Sequence, residues 1–313
     1  MNDRPVLVSG YIWALVSTAC LGTVYIFSKY ALQTLSLATF LPLWFLVATL
    51  ASFAYLFVTR QWRQFLAVVP VWRPVLVIGL LEATAMFAFF VEIELIDPTL
   101  VSFFNNMSIV YQVLFGFLFF KEHLTWTELG GMLLVLAGAG AITYKAGNIV
   151  FLAFLLAIFV HTLFRSFSYV IAKPVATRIG PEVLNSFRNL AMFLISAGYA
   201  LILVNDQIQI PSVNAATAVL AGALLGPFLG ILLLYRALSL LDLAKVGIIQ
   251  GSVPVFVLAS SFLAFNTIPR PHQIIGGAMT MVGVFVLYAG RGALDKKMSK
   301  AGNPSSTHSK GQE

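Results

Sequence analysis

The chain has 313 residues, of which 59% are hydrophobic and only 10% charged, and its mean hydropathy is +0.92. A soluble domain carries about 25% charged residues, so this composition describes a membrane protein. The net charge of +7 therefore marks loops at a membrane face and gives no reason to invoke nucleic acid.

A span needs roughly 20 apolar residues to cross about 30 Å of hydrocarbon. Ten such segments are expected, at 9–30, 38–58, 74–95, 98–120, 125–144, 149–171, 183–204, 214–237, 243–265 and 271–290. The segment opening after MNDRP has no small-residue cleavage pattern and reads as an uncleaved first span. The single cysteine, Cys20, lies in an apolar run, which excludes a disulfide framework or a thiol metal cluster. From 291 to 313 the composition turns Ser/Gly/Lys-rich, and a disordered cytoplasmic tail is expected there.

Charges set the topology. One set of alternate loops holds Arg4, Arg60, Arg63, Arg73, Lys121, Lys173, Arg178 and Arg236, and the tail adds Arg291, Lys296, Lys297 and Lys300. The opposite loops hold little more than Lys145 and Arg270, with Asp97 and Asp206. By the positive-inside rule both termini are expected to be cytoplasmic, in a multi-pass protein of the cell (inner) membrane.

Leu95–Thr143 and Leu240–Tyr288 carry the same pattern 145 residues apart, without a gap. Asp97 falls on Asp242, Val101 on Val246, Phe120 on Phe265, Gly131 on Gly276 and Gly138 on Gly283. Tyr25 and Lys29 similarly match Tyr169 and Lys173. This is an internal duplication. The expected units are 1–146 and 147–290, and five spans per copy would make the second copy enter the membrane from the opposite side. Inverted repeats place a substrate site near the midplane between the halves.

The second copy, ALSLLDLAKVGIIQGSVPVFVLASSFLAFN, resembles the drug/metabolite transporter superfamily, in particular its EamA-type members. Ala237-Leu238 and Pro254-Val255-Phe256 match that pattern in the second copy, and Glu122 matches the acidic residue closing the fourth helix in the first. Ile109 replaces the proline in the first copy and Thr267 the acid in the second. The resemblance implies an all-α protein of two inverted five-helix repeats that is a transporter and not an enzyme. Members export amino acids and other metabolites, or carry nucleotide sugars and phosphorylated sugars. It implies no cofactor.

Ionisable residues inside spans cost about 2.5–3.5 kcal/mol each and normally face a cavity or a partner. Glu82 lies about 13 Å into span 3 and His161 about 15 Å into span 6, both counted from the cytoplasmic boundary. Arg165 follows His161 at i+4, with Ser168 below, and Arg188 in span 7 shares a face with Asn185 and Asn189. These depths allow Glu82–His161 and Glu82–Arg165 pairs. One reading is a cationic half-cavity receiving a carboxylate or phosphate at Arg188, with Glu82 balancing charge or carrying a proton. The other is a structural ion pair locking two helices, Glu82 with Arg165 or with Arg188. His161 is either a proton carrier or a packed ring.

Asn105 pairs with Gln250 across the duplication, so pseudo-symmetry brings both towards the axis, as substrate ligands or as interhelical glue. Asn106 belongs to the same set. Tyr111 and Trp13 line a path or simply pack, while Glu92, Glu94 and Asp97 read as interfacial. Gly130-Gly131, Gly138 and Gly140 recur as Gly276-Gly277 and Gly283, a small-residue face that could build a homodimer or seal the bundle. Gly222, Gly226, Pro227 and Gly230 mark span 8 as the expected gating helix.

The leading reading is a secondary transporter of a small polar metabolite, in the export sense, working by alternating access. The rival is a membrane-embedded enzyme acting on a lipid headgroup with His161, Glu82 and the arginines. Inverted repeats favour transport. No zinc spacing, phosphate loop or catalytic triad stands in a convincing context, so energy must come from a coupling proton, an exchanged metabolite or the substrate's own gradient.

Overall fold

The computed structural model describes residues 4–144, 147–203 and 208–301, without the side chains of 4–6, 62, 63, 203 and 294–301. Lys145 and Asp206 lie outside these residues, as do 302–313. Every regular element among the described residues is helical. The α-helices in chain order are α1 (Arg4–Leu32), α2 (Leu37–Val58), then, after a 3-10 helix at Gln61–Val71, α3 (Trp72–Leu95), α4 (Pro98–Asn105), α5 (Met107–Phe120), α6 (Trp126–Thr143) and α7 (Gly147–Leu156). They continue as α8 (Leu163–Ile179), α9 (Pro181–Leu203), α10 (Val213–Ala223), α11 (Ile231–Leu240), α12 (Leu243–Gln250), α13 (Val253–Phe265) and α14 (Pro271–Ala301).

Nine segments among the described residues are long and apolar enough to cross a membrane. The remaining expected span is α9, which has the length but carries Asn185, Arg188 and Asn189 on its wall. Three expected spans depart from simple helices. Span 6 is α7 and α8 joined by a π-helical segment, Ala157–Thr162, and it runs to Ile179 instead of ending at 171. Span 8 is α10 and α11 joined by a second π segment, Leu224–Gly230, which contains Pro227. The last helix continues past the expected end at 290 to Ala301, so part of the segment expected to be disordered is helical.

Spans 4 and 9 each break into two helices, and they do so at counterpart positions. Asn106 separates α4 from α5, and Gly251-Ser252 separates α12 from α13. Each first half starts on an aspartate, Asp97 or Asp242, and Asp97 accepts the Thr99 N–H at 2.8 Å as an N-cap. Contacts respect the duplication, since α4 packs on α13 and α5 on α12.

The glycine faces pack α6 against α14 within the chain. A Cβ on Gly138 would stand 2.6 Å from the Gly276 carbonyl oxygen, and one on Gly276 would stand 2.6 Å from that of Gly138. Gly131 and Gly283 meet in the same reciprocal way at 2.8 Å. The pairs 131–283 and 138–276 run in opposite order, so α6 and its counterpart are antiparallel. Exchanging each glycine for its repeat partner leaves the set of contacts unchanged, as a two-fold relation between copies requires.

Charged clusters tie the helix ends. Glu122 accepts the Leu243 N–H at 3.1 Å and lies 3.7 Å from both Lys173 and Arg291. Arg291 also reaches Glu128 at 2.8 Å. A second cluster joins Arg236 of α11 to Glu182 at 2.5 Å and to the Tyr55 hydroxyl at 3.0 Å, with the Trp13 ring beneath the guanidinium. At the other end Lys29 donates to the carbonyls of Ile93, Glu94 and Ile96, which close α3.

Candidate functional site

The site starts from the two broken spans. Asn105 and Gln250 are the last residues of α4 and α12, and both line a central cavity. Around them stand Tyr25, Trp44, Phe45, Phe89 and Phe90, with Arg165 and Arg188 supplying charge. The free space is small, about 40 Å³. That is room for a few waters, not for a metabolite, whose pockets measure about 300 Å³ or more.

Behind one wall lies the main ion pair. Arg188 donates to Glu82 at 2.5 Å and to Asn189 Oδ1 at 2.8 Å, with Glu82 and Arg188 almost wholly buried. Glu82 also accepts from the Ser168 hydroxyl. Arg165 points elsewhere, donating from Nε to the Tyr169 hydroxyl at 2.7 Å. Among the described residues, Arg165 has no carboxylate within 4.0 Å. Two cations thus share one nearby carboxylate, which leaves the cavity region one positive charge in excess.

Asn189 and Asn185 serve the backbone. The proline in the second π segment removes a donor, and the wide turn leaves carbonyls without helical partners. Asn189 Nδ2 donates to the Pro227 carbonyl at 3.1 Å and to Ser52 at 2.9 Å. Asn185 donates to the Phe228 carbonyl at 2.9 Å, and Ser17 to that of Gly230 at 2.7 Å. Asn189, expected as a substrate ligand, therefore has its amide and carbonyl engaged and does not line the cavity.

His161 is also withheld from the cavity. Its Nδ1 sits 3.3 Å from Glu92 Oε2, and both side chains are fully buried. The expected Glu82–His161 and Glu82–Arg165 ion pairs do not form. Span 6 extends to Ile179, so His161 lies about 27 Å from that end of the span, level with Glu92 and not with Glu82. Ser168 is the residue that falls level with Glu82. Glu92, read from sequence as interfacial, is buried, whereas Glu94 is exposed as expected.

Of the expected site residues, Arg188, Arg165, Asn105 and Gln250 line the cavity, while Glu82, His161 and Asn189 stand behind its wall. Ser52, Ser168, Tyr169 and the aromatic ring set were not singled out as ligands. Tyr169 had a signal, since it falls one turn after Arg165. Tyr111 packs its hydroxyl onto the Ile158 carbonyl at 3.1 Å and does not line this cavity. On residues that line the cavity, two buried polar atoms have no hydrogen-bond partner among the described residues: Asn105 Oδ1, an acceptor, and Arg188 Nε, a donor.

Comparison with known proteins fits this geometry. The chain is 22% identical over 305 residues to an uncharacterized transporter of Haemophilus influenzae, covering 93% of this chain and 95% of the relative. A solved crystal structure of a protein superposes with a TM-score of 0.72 at 18% identity, over 91% of this chain and 99% of the other, which shows a shared fold. The model of the EamA-like transporter family matches twice, at residues 8–144 and 152–289, once for each copy. The protein is a multi-pass membrane protein belonging to the EamA-like transporter family.

Proposed function

We propose that the protein moves a small carboxylate-bearing metabolite, an amino acid or related compound, by alternating access between two inverted five-helix repeats. The observation that supports this most directly is a pair of buried atoms on cavity-lining residues without a partner among the described residues, Arg188 Nε and Asn105 Oδ1. An α-amino acid presents a carboxylate for the first and an ammonium donor for the second. The excess positive charge at Arg165 favours the carboxylate, and the rings of Tyr25, Trp44 and Phe89 suit an apolar side chain. Export is the sense that the family resemblance implies.

Alternating access is supported by the small cavity volume, because entry of a metabolite requires helices to separate. The Glu122 and Arg236 clusters on one side and Lys29 on the other are the contacts that would open in turn. Breaks at matched positions in the two copies are the expected pointer to a midplane site in such transporters.

Purified protein screened against the twenty amino acids and simple carboxylates should show a rise in melting temperature for carboxylates with an apolar side chain. Arg165→Gln should abolish that rise while melting near the wild-type temperature, because Arg165 has no described carboxylate partner to strand. A panel without any stabilising carboxylate, or an unchanged response in Arg165→Gln, rejects this substrate class.

The ten-span arrangement, with α9 as the seventh span and both termini cytoplasmic, is part of the same proposal and rests on the Lys and Arg asymmetry. Reporter fusions after Gly290 and within 145–148 should report opposite sides of the membrane. The same side for both rules it out.

A further inference from the structure

The transport reading leaves one buried titratable pair unused. Glu92 of α3 and His161 of the first π segment meet at 3.3 Å with no exposed side-chain surface. Their one contact leaves Glu92 Oε1 and His161 Nε2 without a hydrogen-bond partner among the described residues. A purely structural pair in a membrane interior would have those atoms satisfied, since a buried polar group without a partner costs about 1–3 kcal/mol. The wide π turn sets the ring in place, and such turns recur at functional positions. The His161 ring packs on Phe89 at 4.9 Å, and Phe89 lines the cavity.

We propose that Glu92 and His161 form a proton-binding site whose occupancy sets the charge that the cavity presents to a carboxylate. The neighbouring titratable and charged groups define how. Arg165 of α8 follows His161 by four residues along the same span, and Tyr25 of α1 packs edge-on against Phe89, the ring on which His161 rests. From α5, the Tyr111 hydroxyl sits on the Ile158 carbonyl within the π segment. Glu82 and Arg188 lie further along α3 and α9, paired with each other, and Lys29 caps α3 beyond Glu92.

With one proton, held as a Glu92 carboxylic acid beside a neutral His161 imidazole, the pair is electrically neutral. Without it the pair carries one negative charge. Arg165, Arg188 and Glu82 sum to one positive charge, so the region totals one positive charge with the proton bound and none without it. A carboxylate substrate is attracted in the first state only, and by linkage its binding raises proton affinity equally. The proton enters from water on the open side and leaves with the substrate on the other. Substrate and proton then cross together, and export would run on the substrate's own accumulation inside. That consequence rests on the transport reading, whereas the site itself does not.

The test uses the full chain reconstituted in phosphatidylcholine vesicles without substrate, with infrared difference spectra recorded while the pH is stepped between about 5 and 9. A protonated-carboxyl band should appear on acidification and be absent from Glu92→Gln. Glu92→Asp, which retains a carboxyl group, should show the band displaced, a check should Glu92→Gln misassemble. Arg165→Gln removes a cation that favours the deprotonated pair, so the midpoint should rise by about one pH unit or more. A wild-type spectrum without a titrating band that depends on Glu92 overturns the site. A midpoint unmoved in Arg165→Gln overturns its coupling to the cavity. Because no substrate is present, failure here leaves the carboxylate reading standing, and failure of the ligand panel leaves the band unaffected.

Discussion

Glu82→Gln is expected to lower the stability of the ligand-free protein by about 3–5 kcal/mol, and Arg188→Met by a similar amount. Each change leaves one buried partner of the 2.5 Å pair without its opposite charge. The combined variant removes both charges from the low-dielectric interior and should recover much of that loss, because hydrophobic replacement of a whole buried pair is often neutral or better. Ligand response should follow a different pattern. Arg188 lines the cavity and keeps Nε free while its terminal nitrogens hold Glu82 and Asn189. The combined variant should therefore be stable yet lose ligand-induced stabilisation. Arg188→Lys should keep the pairing with Glu82 but respond weakly, since an ammonium cannot serve Glu82, Asn189 and a substrate with fixed donors. Melting temperatures of the four substituted proteins and the wild type, with and without ligand, separate the two roles. A combined variant that is stable and still responds fully would show that Arg188 is only structural.

The architecture was legible in the sequence because its signals are long. Apolar segments of about 20 residues announce spans, and a gapless match of aspartates and glycines announces the duplication. The pairings were less legible, and the reasons are local. Depth counting needs the true helix end, and the sequence places the end of span 6 at residue 171, just before Lys173 and Pro174. The helix carries Pro174 and continues to Ile179, which moves His161 away from Glu82. A helical wheel would have recovered Glu92, which follows Ala85 and Phe89 on the buried face of Glu82, while Glu94 falls on the opposite face. The first π segment carries no comparable signal, since its residues are compatible with ordinary helix, whereas Gly226, Pro227 and Gly230 mark the second. Asn185 and Asn189 illustrate the limit: their spacing announced a polar face, but the groups that face serves are carbonyls freed in another helix.

Span 8 joins packing to the cavity most directly, and Gly222→Ala should expose that link. A Cβ at Gly222 would lie 2.2 and 2.6 Å from two atoms of the Trp44 ring and 2.7 Å from Phe27 Cβ. Either the ring moves or α10 does. Trp44 is held by Phe40 at 4.9 Å and Phe90 at 5.8 Å, and the free space beside it is the cavity it lines. The ring should therefore be driven into a cavity of only about 40 Å³, at a cost in stability of about 1–3 kcal/mol for the overpacking. Ligand response should fall with it, although no group proposed to touch the carboxylate has changed. Gly140→Ala is the matched control: a Cβ there meets nothing within 4 Å, so it should be neutral or slightly stabilising through helix propensity. Trp44→Phe combined with Gly222→Ala should restore part of the stability, because the smaller ring vacates the space that the new methyl needs. If Gly222→Ala melts and responds to ligand like the control, Trp44 yields without entering the cavity, and span 8 does not set its size.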